Sequence, residues 1–386
     1  MLLEQTEKRN KKLLEASFHF HQMGHIRPDS YLIDMDMLME NAQSMLIEAK
    51  KNGIKLYFML KQLGRNPYIA KKLVELGYAG VVVVDFKEAK VMMNHQIPIG
   101  NIGHLVQIPT AMLEEVVQYQ PEIITVYSLE KIKQINVVCE KLGLIQPLMI
   151  RVYDKQDKIY SGQEAGFSLQ KLPALIAEIN QFKGVVIEGV TAFPTLLYQE
   201  VSNSIKPTSN MTTILEAKRI FEQHHINIKQ VNFPSATCCA SIGTIARFGG
   251  THGEPGHGLS GTTPLHATSS QVEVPAVVYV SEVSHNFNNQ AYIYGGGHYR
   301  RSHVSTAYVG KHLKDAKLVT VIPPEDDAID YHLAINQEAM IGDSVVTAFR
   351  YQIFVTRSDV VLIEGLHQGK EAKIIGYYDS QGRELE

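Results

Sequence analysis

Short apolar runs alternate with longer amphipathic segments between about residues 55 and 258. Eight of these runs have strand character, at residues 55–60, 80–84, 101–106, 123–126, 146–152, 185–191, 230–233 and 248–252. The segments between them have helical spacing, for example at residues 66–76, 128–142, 169–182 and 213–225. Because parallel strands need helical crossovers, this alternation predicts a (β/α)8 TIM barrel. An open Rossmann-like sheet is the alternative, but no Gly-x-Gly-x-x-Gly motif follows the first strand.

After Pro264 the pattern changes to an alternation with a period of two, interrupted by Asn, Gly, Pro and Asp turns. This pattern predicts a separate β-rich domain. We therefore expect an N-terminal segment at residues 1–30, a barrel domain at 31–265 and a C-terminal β domain at 266–386. The apolar run at residues 31–34 does not fit the eightfold count and could be a strand of the β domain.

The composition excludes several classes of protein. The chain has 386 residues, with 37 Lys and Arg against 40 Asp and Glu, and a formal net charge of −3. This balance argues against a nucleic-acid-binding surface. Three cysteines do not make a disulfide framework, and no apolar stretch approaches the roughly 18 residues of a membrane span. We expect a cytoplasmic protein that binds no membrane.

Lys61 directly follows the apolar sequence YFML, which a barrel would bury on both faces. A desolvated lysine amine has a lowered pKa and attacks carbonyl groups, as does the lysine that forms a Schiff base with pyridoxal phosphate (PLP). Alternatively, the side-chain stem lies along the rim and the ammonium group reaches water. The first interpretation requires a phosphate site and a group that contacts the pyridine nitrogen.

Both requirements have candidates in loops that follow predicted strands, where barrels place their chemistry. Ser235 and Thr237 lie at the start of a helix after the seventh strand, and Gly256, His257 and Gly258 form a turn after the eighth. Helix N-termini and Gly-rich turns supply N–H groups to phosphate.

Glu254 precedes the Gly-rich turn and is the candidate for the contact with the pyridine nitrogen. The alternative interpretations are an ordinary tight turn and a solvated loop carboxylate. His252, His257 and His298 also fall on loops of the predicted site, but their spacing follows no metal-binding pattern, so we expect no metal site.

Two segments carry a resemblance to a known family. MLKQLGRNP, which contains Lys61, and GTHGEPGHGLSGTTP, which contains Glu254, are similar to the YhfX family. This family lies within the alanine racemase-like, fold type III, PLP-dependent enzymes. The LGYAGVVVVDFKEA segment and the helix start at Ser235 also match that larger group, and the resemblance extends from about residue 31 to the C-terminus.

The resemblance implies a barrel that binds PLP, a β-rich second domain, and a head-to-tail homodimer in which one subunit's second domain completes the other subunit's site. Lys61 would be the Schiff-base lysine and one acid/base group. Tyr294, in a Tyr-Gly pair, would be the base on the opposite face, with His298 as a competing proton carrier.

The remaining residues that the resemblance assigns would bind the cofactor. The phosphate would contact Ser235, Gly256 and His257, with Thr237 nearby. Arg65 stands where the family has a tyrosine and would hold phosphate by charge.

The sequence departs from alanine racemases at three places. Glu254 replaces an arginine, and a carboxylate keeps the pyridine ring protonated and makes it a stronger electron sink. Ala192 replaces a histidine, and the arginine that orients substrate has no counterpart at residues 160–167. Arg151, Arg300 and Arg301 are the candidates to bind the substrate carboxylate in place of that arginine.

We therefore expect a PLP-dependent amino-acid racemase acting on a small-molecule amino acid. The stronger electron sink leaves a PLP-dependent decarboxylase or dehydratase as the alternative. A non-catalytic PLP-binding homeostasis protein is an alternative of another class, but such proteins consist of the barrel alone.

Overall fold

Helices and strands alternate over most of the chain in the computed structural model, which describes residues 1–369 and 371–386. The α-helices are α1 (Leu2–Arg9), α2 (Lys11–Gln22), α3 (Met35–Lys51), α4 (Pro67–Leu76), α5 (Phe86–Asn94), α6 (Leu113–Tyr119), α7 (Leu129–Leu142), α8 (Leu172–Ile179), α9 (Ser209–Gln223), α10 (Cys239–Arg247) and α11 (Pro264–Thr268). Short 3-10 turns occur at Lys61–Leu63, Thr110–Met112, Leu169–Lys171, Leu313–Asp315 and Ile353–Val355.

The β-strands fall into a first group that alternates with these helices along the chain and a second group near the C-terminus. The first group is β1 (Ser30–Asp34), β2 (Lys55–Leu56), β3 (Val81–Val82), β4 (Ile99–Ile102), β5 (Ile123–Val126), β6 (Gln146–Tyr153), β7 (Phe167–Ser168), β8 (Val185–Thr191), β9 (Leu196–Gln199), β10 (Ser204–Pro207), β11 (Gln230–Asn232) and β12 (His252–Gly253). The second is β13 (Val277–Phe287), β14 (Gln290–Tyr294), β15 (Thr306–Gly310), β16 (Lys317–Ile322), β17 (His332–Ile335), β18 (Ser344–Thr347), β19 (Asp359–Glu364) and β20 (Lys373–Tyr378).

The chain forms two units. The barrel unit comprises residues 43–60 and 67–256, and the β-rich unit comprises residues 1–42, 61–66 and 257–386. Residues 31–42, which the sequence pattern placed with the barrel, therefore group with the β-rich unit.

Eight parallel strands form the barrel unit, hydrogen-bonded in the order β2-β12-β11-β8-β6-β5-β4-β3. Phe58, just after β2, pairs with Val81 of β3 and joins the two ends of the sheet. The strands occur at the eight predicted runs, which confirms the (β/α)8 barrel. The last run differs in detail, because Phe248 caps α10 and β12 begins only at His252.

Local signals explain where the barrel helices begin and end. The Asp85 side chain accepts a hydrogen bond from the Glu88 amide at 2.8 Å and caps α5. Ser128 caps α7 in the same way, and this helix ends at Gly143, whose φ of 67° suits glycine. Helix α7 buries one apolar stripe with helical spacing, at Ile132, Ile135 and Cys139.

The β-rich unit is built on a nine-stranded sheet in the order β14-β17-β16-β15-β18-β13-β1-β19-β20. A further pairing of β13 with β14 closes the first six strands into an antiparallel barrel. Strand β1 lies between β13, to which it is antiparallel, and β19, to which it is parallel. The run at residues 31–34 is therefore a strand of this sheet, as its misfit with the eightfold count suggested.

Helices α1 and α2 complete the core of the β-rich unit. Leu13, Leu14 and Phe18 of α2 are buried against apolar strand residues that include Val278 and Val346. His21, near the end of α2, hydrogen-bonds the Ser344 hydroxyl at 2.7 Å. The first residues of the chain therefore contribute to the same core as the β13 and β18 strands.

Candidate functional site

A buried carboxylate lies in the interior of the barrel unit. Glu254, just after β12, is only 6% exposed, and its Oε1 accepts hydrogen bonds from the side-chain amides of Asn101 and Asn232 at 3.2 and 2.5 Å. Asn101 in turn accepts the Thr125 hydroxyl at 2.8 Å. These four residues, from β4, β5, β11 and the end of β12, form a polar layer across the barrel. We call it the carboxylate layer.

The carboxylate layer supplies amide donors to Glu254. Burial without partners is costly for a charged carboxylate, whereas amide N–H donors stabilise the charged form. An acceptor held in this way at the barrel centre can bind a protonated ring nitrogen. The donor chemistry of this layer therefore fits the pyridine nitrogen of PLP.

The turn at Ser235 and Ala236 exposes backbone N–H groups beside this layer. Both residues have left-handed φ values, 87° and 48°, and helix α10 begins a few residues later. In the described structure no hydrogen bond engages the amides of Ser235, Ala236 or Thr237. Successive free amides in such a turn form an anion-binding concavity. This observation fits a phosphate group.

The two predicted hydroxyls at this turn have other partners. Ser235 Oγ accepts the amides of Thr195 and Leu196 at 3.1 and 3.0 Å and donates to the Leu196 carbonyl at 2.8 Å. Thr237 Oγ1 accepts the Glu254 amide at 3.1 Å. Ser235 thus fixes the loop after β8, and Thr237 fixes the backbone of Glu254.

Strand pairing brings the residues before Lys61 next to those after Glu254. In the barrel unit, the Met59 amide donates to the Pro255 carbonyl at 2.9 Å. Met59 precedes Lys61 by two positions, and Pro255 directly follows Glu254. The barrel-unit parts of the two segments that carry the family resemblance are therefore neighbours at Met59 and Pro255.

In the β-rich unit, Lys61 begins a 3-10 turn and lies near His257. His257 is half-buried, and its pKa is well below the usual value because of burial first and then the charges of Arg350 and Lys61. Its Nδ1 hydrogen-bonds Thr262 Oγ1 at 3.0 Å, and its ring packs edge-on against Tyr351 at 5.4 Å. His257 is therefore a neutral ring beside the Lys61 amine.

Arg65, the predicted phosphate-binding cation, also lies in the β-rich unit. It is 3% exposed and has a left-handed φ of 54°. Its Nη1 donates to Gln381 Oε1 at 2.8 Å, and the guanidinium lies 5.2 Å from the centre of the Phe354 ring. The described contacts of Arg65 thus include residues of the C-terminal segment.

Tyr294 ends strand β14 and is 37% exposed. Its hydroxyl has no hydrogen bond in the described structure, whereas its carbonyl accepts the hydroxyls of Tyr279 and Ser281 at 3.0 and 2.8 Å. The backbone is therefore fixed while the phenol remains accessible. His298 is half-buried in the loop that follows, and burial lowers its pKa, with Asp330 opposing this shift.

His252 does not belong to the carboxylate layer. It lies within β12, and its ring stacks on Tyr57 at 5.2 Å with an interplanar angle of 28°. Burial, followed by the charge of Lys55, lowers the pKa of His252 to about 4. Tyr57 hydrogen-bonds Gln230 at 3.1 Å, so this pair forms a separate layer nearer the start of the strands.

Sequence reasoning missed several residues that surround the predicted site. Asn101, Thr125 and Asn232 interrupt otherwise apolar strands, which is an available signal, because polar residues inside a barrel need partners. Within residues 1–369 and 371–386, no group of three or more His, Cys, Asp or Glu residues is arranged to hold a metal ion. No helix in these ranges is both long enough and apolar enough to cross a membrane.

Known proteins resemble this chain over its whole length. The family model of the alanine racemase N-terminal domain matches residues 33–264, and that of the YhfX-like C-terminal domain matches residues 278–373. The uncharacterized protein YhfX of Escherichia coli strain K12 is 42% identical over 389 residues, which cover 100% of both chains.

Three solved structures show the same fold at low identity. Alanine racemase of Clostridium difficile 630 in complex with cycloserine is 16% identical, with a TM-score of 0.65, over 91% of this chain and 98% of that one. D-threonine aldolase of Filomicrobium marinum is 15% identical, with a TM-score of 0.67, over 92% and 95%. Diaminopimelate decarboxylase of Helicobacter pylori is 14% identical, with a TM-score of 0.61, over 91% and 94%. The chain therefore belongs to the YhfX family of alanine racemase-like proteins.

Proposed function

We propose that this protein is a PLP-dependent enzyme that acts at the Cα of an amino acid, and specifically an amino-acid racemase. The observation that carries the proposal is the buried Glu254 carboxylate, which two amide side chains hold in place. The free amides at Ser235 to Thr237 support it, because they offer a phosphate site in the same unit.

The candidate residues have distinct roles in cofactor binding. Lys61 would hold the cofactor covalently through its amine, and Glu254 would accept the proton of the ring nitrogen. The phosphate would be held by the amides of the Ser235–Thr237 turn and by Gly256 and His257, with Arg65 adding positive charge. When bound, PLP supplies an electron sink that weakens the bonds at the substrate Cα.

Racemisation requires acid/base groups on both faces of the reacting carbon. Lys61 would move the proton on one face. Tyr294 of a partner subunit would act on the other, and its accessible hydroxyl supports this role. His298 is the second candidate, because its half-buried ring is largely neutral near pH 7. A homodimer is part of this proposal.

Decarboxylation or dehydration is the second candidate reaction. Glu254 favours it, because a protonated ring stabilises a Cα carbanion more strongly than a neutral ring does. Fold relatives include a racemase, an aldolase and a decarboxylase, so the fold itself does not select among these reactions.

Cofactor binding is tested by visible absorption. Purified protein should show the absorption band of lysine-bound PLP, and Lys61→Ala should abolish it. Lys71→Ala, which removes an exposed lysine from α4, is the matched control and should keep the band. A colourless wild-type protein that gains no band with added PLP would contradict the proposal.

The reaction class is tested by α-hydrogen exchange. D- and L-amino acids incubated with the enzyme in D2O should incorporate deuterium at Cα and retain their carboxylate. Release of CO2 or ammonia instead would assign the enzyme to the second candidate reaction. The same screen identifies the substrate.

A further inference from the structure

Three consecutive glycines separate the two candidate proton carriers of the β-rich unit. Gly295, Gly296 and Gly297 lie between Tyr294 and His298, and all three glycines are buried. Their φ values lie outside the left-handed region. Backbone conformation therefore does not require glycine at these positions, and close packing is the remaining physical reason for it. We call these three residues the glycine turn.

A side chain on the glycine turn would collide with neighbouring segments. A Cβ atom at Gly297 would lie 2.3 Å from Cε2 of the Tyr279 ring. A Cβ atom at Gly296 would lie 1.8 Å from Asp29 Oδ2, and its three nearest neighbours would all be atoms of that carboxyl group. The backbone of Gly296 therefore packs directly against the Asp29 side chain.

The Asp29 side chain is itself held in place. Asp29 directly precedes strand β1 and has a left-handed φ of 65°. Its Oδ1 accepts the Tyr279 hydroxyl at 3.0 Å and also the Ser358 hydroxyl, and its backbone carbonyl accepts the Asp359 amide at 3.0 Å. Burial raises the pKa of Asp29, and the two hydroxyls and the charge of Arg357 oppose this shift. Asp29 thus has a fixed position beneath Gly296.

Other side chains of the same group hold the backbone on both sides of Gly296. The Tyr279 hydroxyl lies 3.0 Å from the Tyr294 carbonyl oxygen and accepts the Gly297 amide at 3.4 Å. The Gly297 carbonyl accepts the Tyr31 hydroxyl at 2.6 Å. Side chains from the start of β1 and from β13 therefore fix the backbone from Tyr294 to Gly297.

The glycine turn determines where both candidate proton carriers lie. The Tyr294 hydroxyl makes no hydrogen bond in the described structure, so the position of the phenol depends on its backbone. The His298 amide donates to the Gly295 carbonyl at 2.9 Å, which ties His298 to the same turn. A displacement of about 1 Å in a reacting group can lower a rate about a hundredfold.

We propose that Asp29 is a positioning residue for the base opposite Lys61, because its carboxyl group sets where the glycine turn holds Tyr294 and His298. This inference rests on the racemase function proposed above. Asp29 acts through the backbone of the turn. Racemisation needs the base on that face, whereas α-hydrogen exchange on the Lys61 face does not. Loss of Asp29 should therefore separate the two reactions.

Asp29→Gly is the main test, because it removes the carboxyl group and glycine suits the left-handed φ at this position. We expect kcat for racemisation to fall by about tenfold or more, with KM changed by less than about threefold. The enantiomer whose Cα hydrogen faces Lys61 should still exchange that hydrogen in D2O, at a rate within about threefold of the wild-type rate.

Two further variants are the controls for Asp29→Gly. Asp29→Asn keeps the size of the side chain and an oxygen that accepts the two hydroxyls, so racemisation should fall by less than about threefold. Asp315→Ala removes an exposed aspartate of the same unit and should change neither reaction.

Gly296→Ala tests the same contact from the side of the turn. Its Cβ atom would displace the Asp29 carboxyl group, so racemisation should fall by a similar factor while exchange on the Lys61 face continues. In the Asp29→Gly background it should have no further effect, because the atoms nearest to the added Cβ are gone. Losses that multiply would overturn the proposal. If Asp29→Gly does not fold, Gly296→Ala alone decides by the same comparison of the two reactions.

Amide hydrogen exchange gives a readout that needs no turnover. Mass spectrometry of peptides that contain residues 294–298 should show faster amide exchange in Asp29→Gly than in the wild-type protein, with peptides of the barrel unit unchanged. Unchanged exchange in these peptides would overturn the proposal, as would equal losses of racemisation and of α-hydrogen exchange on the Lys61 face. A wild-type protein that does not racemise amino acids would contradict the proposed function instead. Amide exchange alone would then decide whether Asp29 holds the glycine turn.

Discussion

Glu254 is a buried carboxylate whose position depends on neighbouring amides. The Asn232 amide donates to Oε1 at 2.5 Å, and the Asn101 amide donates to the same atom at 3.2 Å. We expect Asn232→Ala to lower the free energy of unfolding by about 1.5–3 kcal/mol, because a hydrogen bond to a buried charged group is lost. Urea denaturation near neutral pH measures this change.

Asn180→Ala is the control for this variant, because Asn180 is exposed at the end of α8. It should change the free energy of unfolding by less than about 0.5 kcal/mol. If Asn232→Ala proved as stable as the wild-type protein, Glu254 would not depend on this amide, and its assignment to the ring nitrogen would lose its physical basis.

His252 makes stability depend on pH. Burial and the charge of Lys55 lower the pKa of His252 to about 4, from an unfolded value of 6.5. Between these values the unfolded state binds the proton and the folded state does not, so stability falls as pH falls from 6.5 towards 4. The neutral His252 ring of the folded state therefore makes the free energy of unfolding larger above pH 6.5 than below pH 4, by an amount on the order of 3 kcal/mol.

His252→Phe should reduce this pH dependence, because phenylalanine keeps the stacking on Tyr57 and cannot be protonated. The exposed His19→Phe on α2 should retain the wild-type dependence. Urea denaturation at intervals between pH 4 and 6.5 checks both variants. A His252→Phe profile parallel to that of the wild-type protein would show that other groups cause the loss of stability.

Residue type and position in the chain were enough to select Lys61 and Glu254 as candidates, because Lys61 directly follows an apolar run and Glu254 precedes a Gly-rich turn. They were not enough for Asn101 or Asn232. A polar residue within a strand can point into the barrel or towards a helix, and only the register of all eight strands decides which.

At the scale of elements, the small size of Gly100 allows β4 to pass Tyr57. A Cβ atom at Gly100 would lie 2.2 Å from Cδ1 of the Tyr57 ring. That ring is buried and is held by His252 and Gln230, so it has little room to move. We expect Gly100→Ala to lower the free energy of unfolding by about 1–3 kcal/mol through overpacking.

Gly243→Ala is the matched substitution in an open position. Gly243 lies inside α10, and the nearest atom to its added Cβ would be Asn52 Oδ1 at 3.6 Å, an ordinary contact. We expect a gain of about 0.5–1 kcal/mol, because alanine favours the helix over glycine. Thermal or urea denaturation of both variants measures whether the free energy of unfolding falls in Gly100→Ala and rises in Gly243→Ala. A decrease in both variants would contradict the steric argument.

The elements of the barrel were predictable because each strand is a short β-branched run between amphipathic helices. The hydrogen-bonded parts are shorter than the runs, as in β2 and β3, which have two residues each. Strand β1 shows why domain limits are harder to predict. Its pairs, β13 and β19, lie more than two hundred residues later in the chain, and no local pattern reveals such pairing.

At the scale of the whole molecule, both ends of the chain build the β-rich unit. Helices α1 and α2 and strand β1 come from the first residues and pack with strands that begin at Val277 and later. The proposed opposite-face base, Tyr294, belongs to this unit as well, and its carbonyl is fixed by Tyr279 and Ser281. Along the chain, most of the barrel unit is inserted between these segments.

The proposed homodimer predicts that two inactive variants restore activity when their chains are combined in one dimer. If Lys61 and Tyr294 of one active site come from different subunits, Lys61→Ala and Tyr294→Phe homodimers should both be inactive in racemisation, which needs a base on each face of Cα. Random mixing after reversible dissociation yields heterodimers as half of the dimers, and one of the two sites in each heterodimer contains both native residues. About a quarter of all sites should therefore recover activity.

Mixing Lys61→Ala with a Lys61→Ala, Tyr294→Phe double variant is the control, since no combination of these chains supplies Lys61. If the first mixture stays inactive while sedimentation shows that heterodimers form, Tyr294 does not complete the partner's site. The same mixture made with His298→Asn in place of Tyr294→Phe then tests the competing base. Recovery with one residue and not the other assigns the proton on the face opposite Lys61.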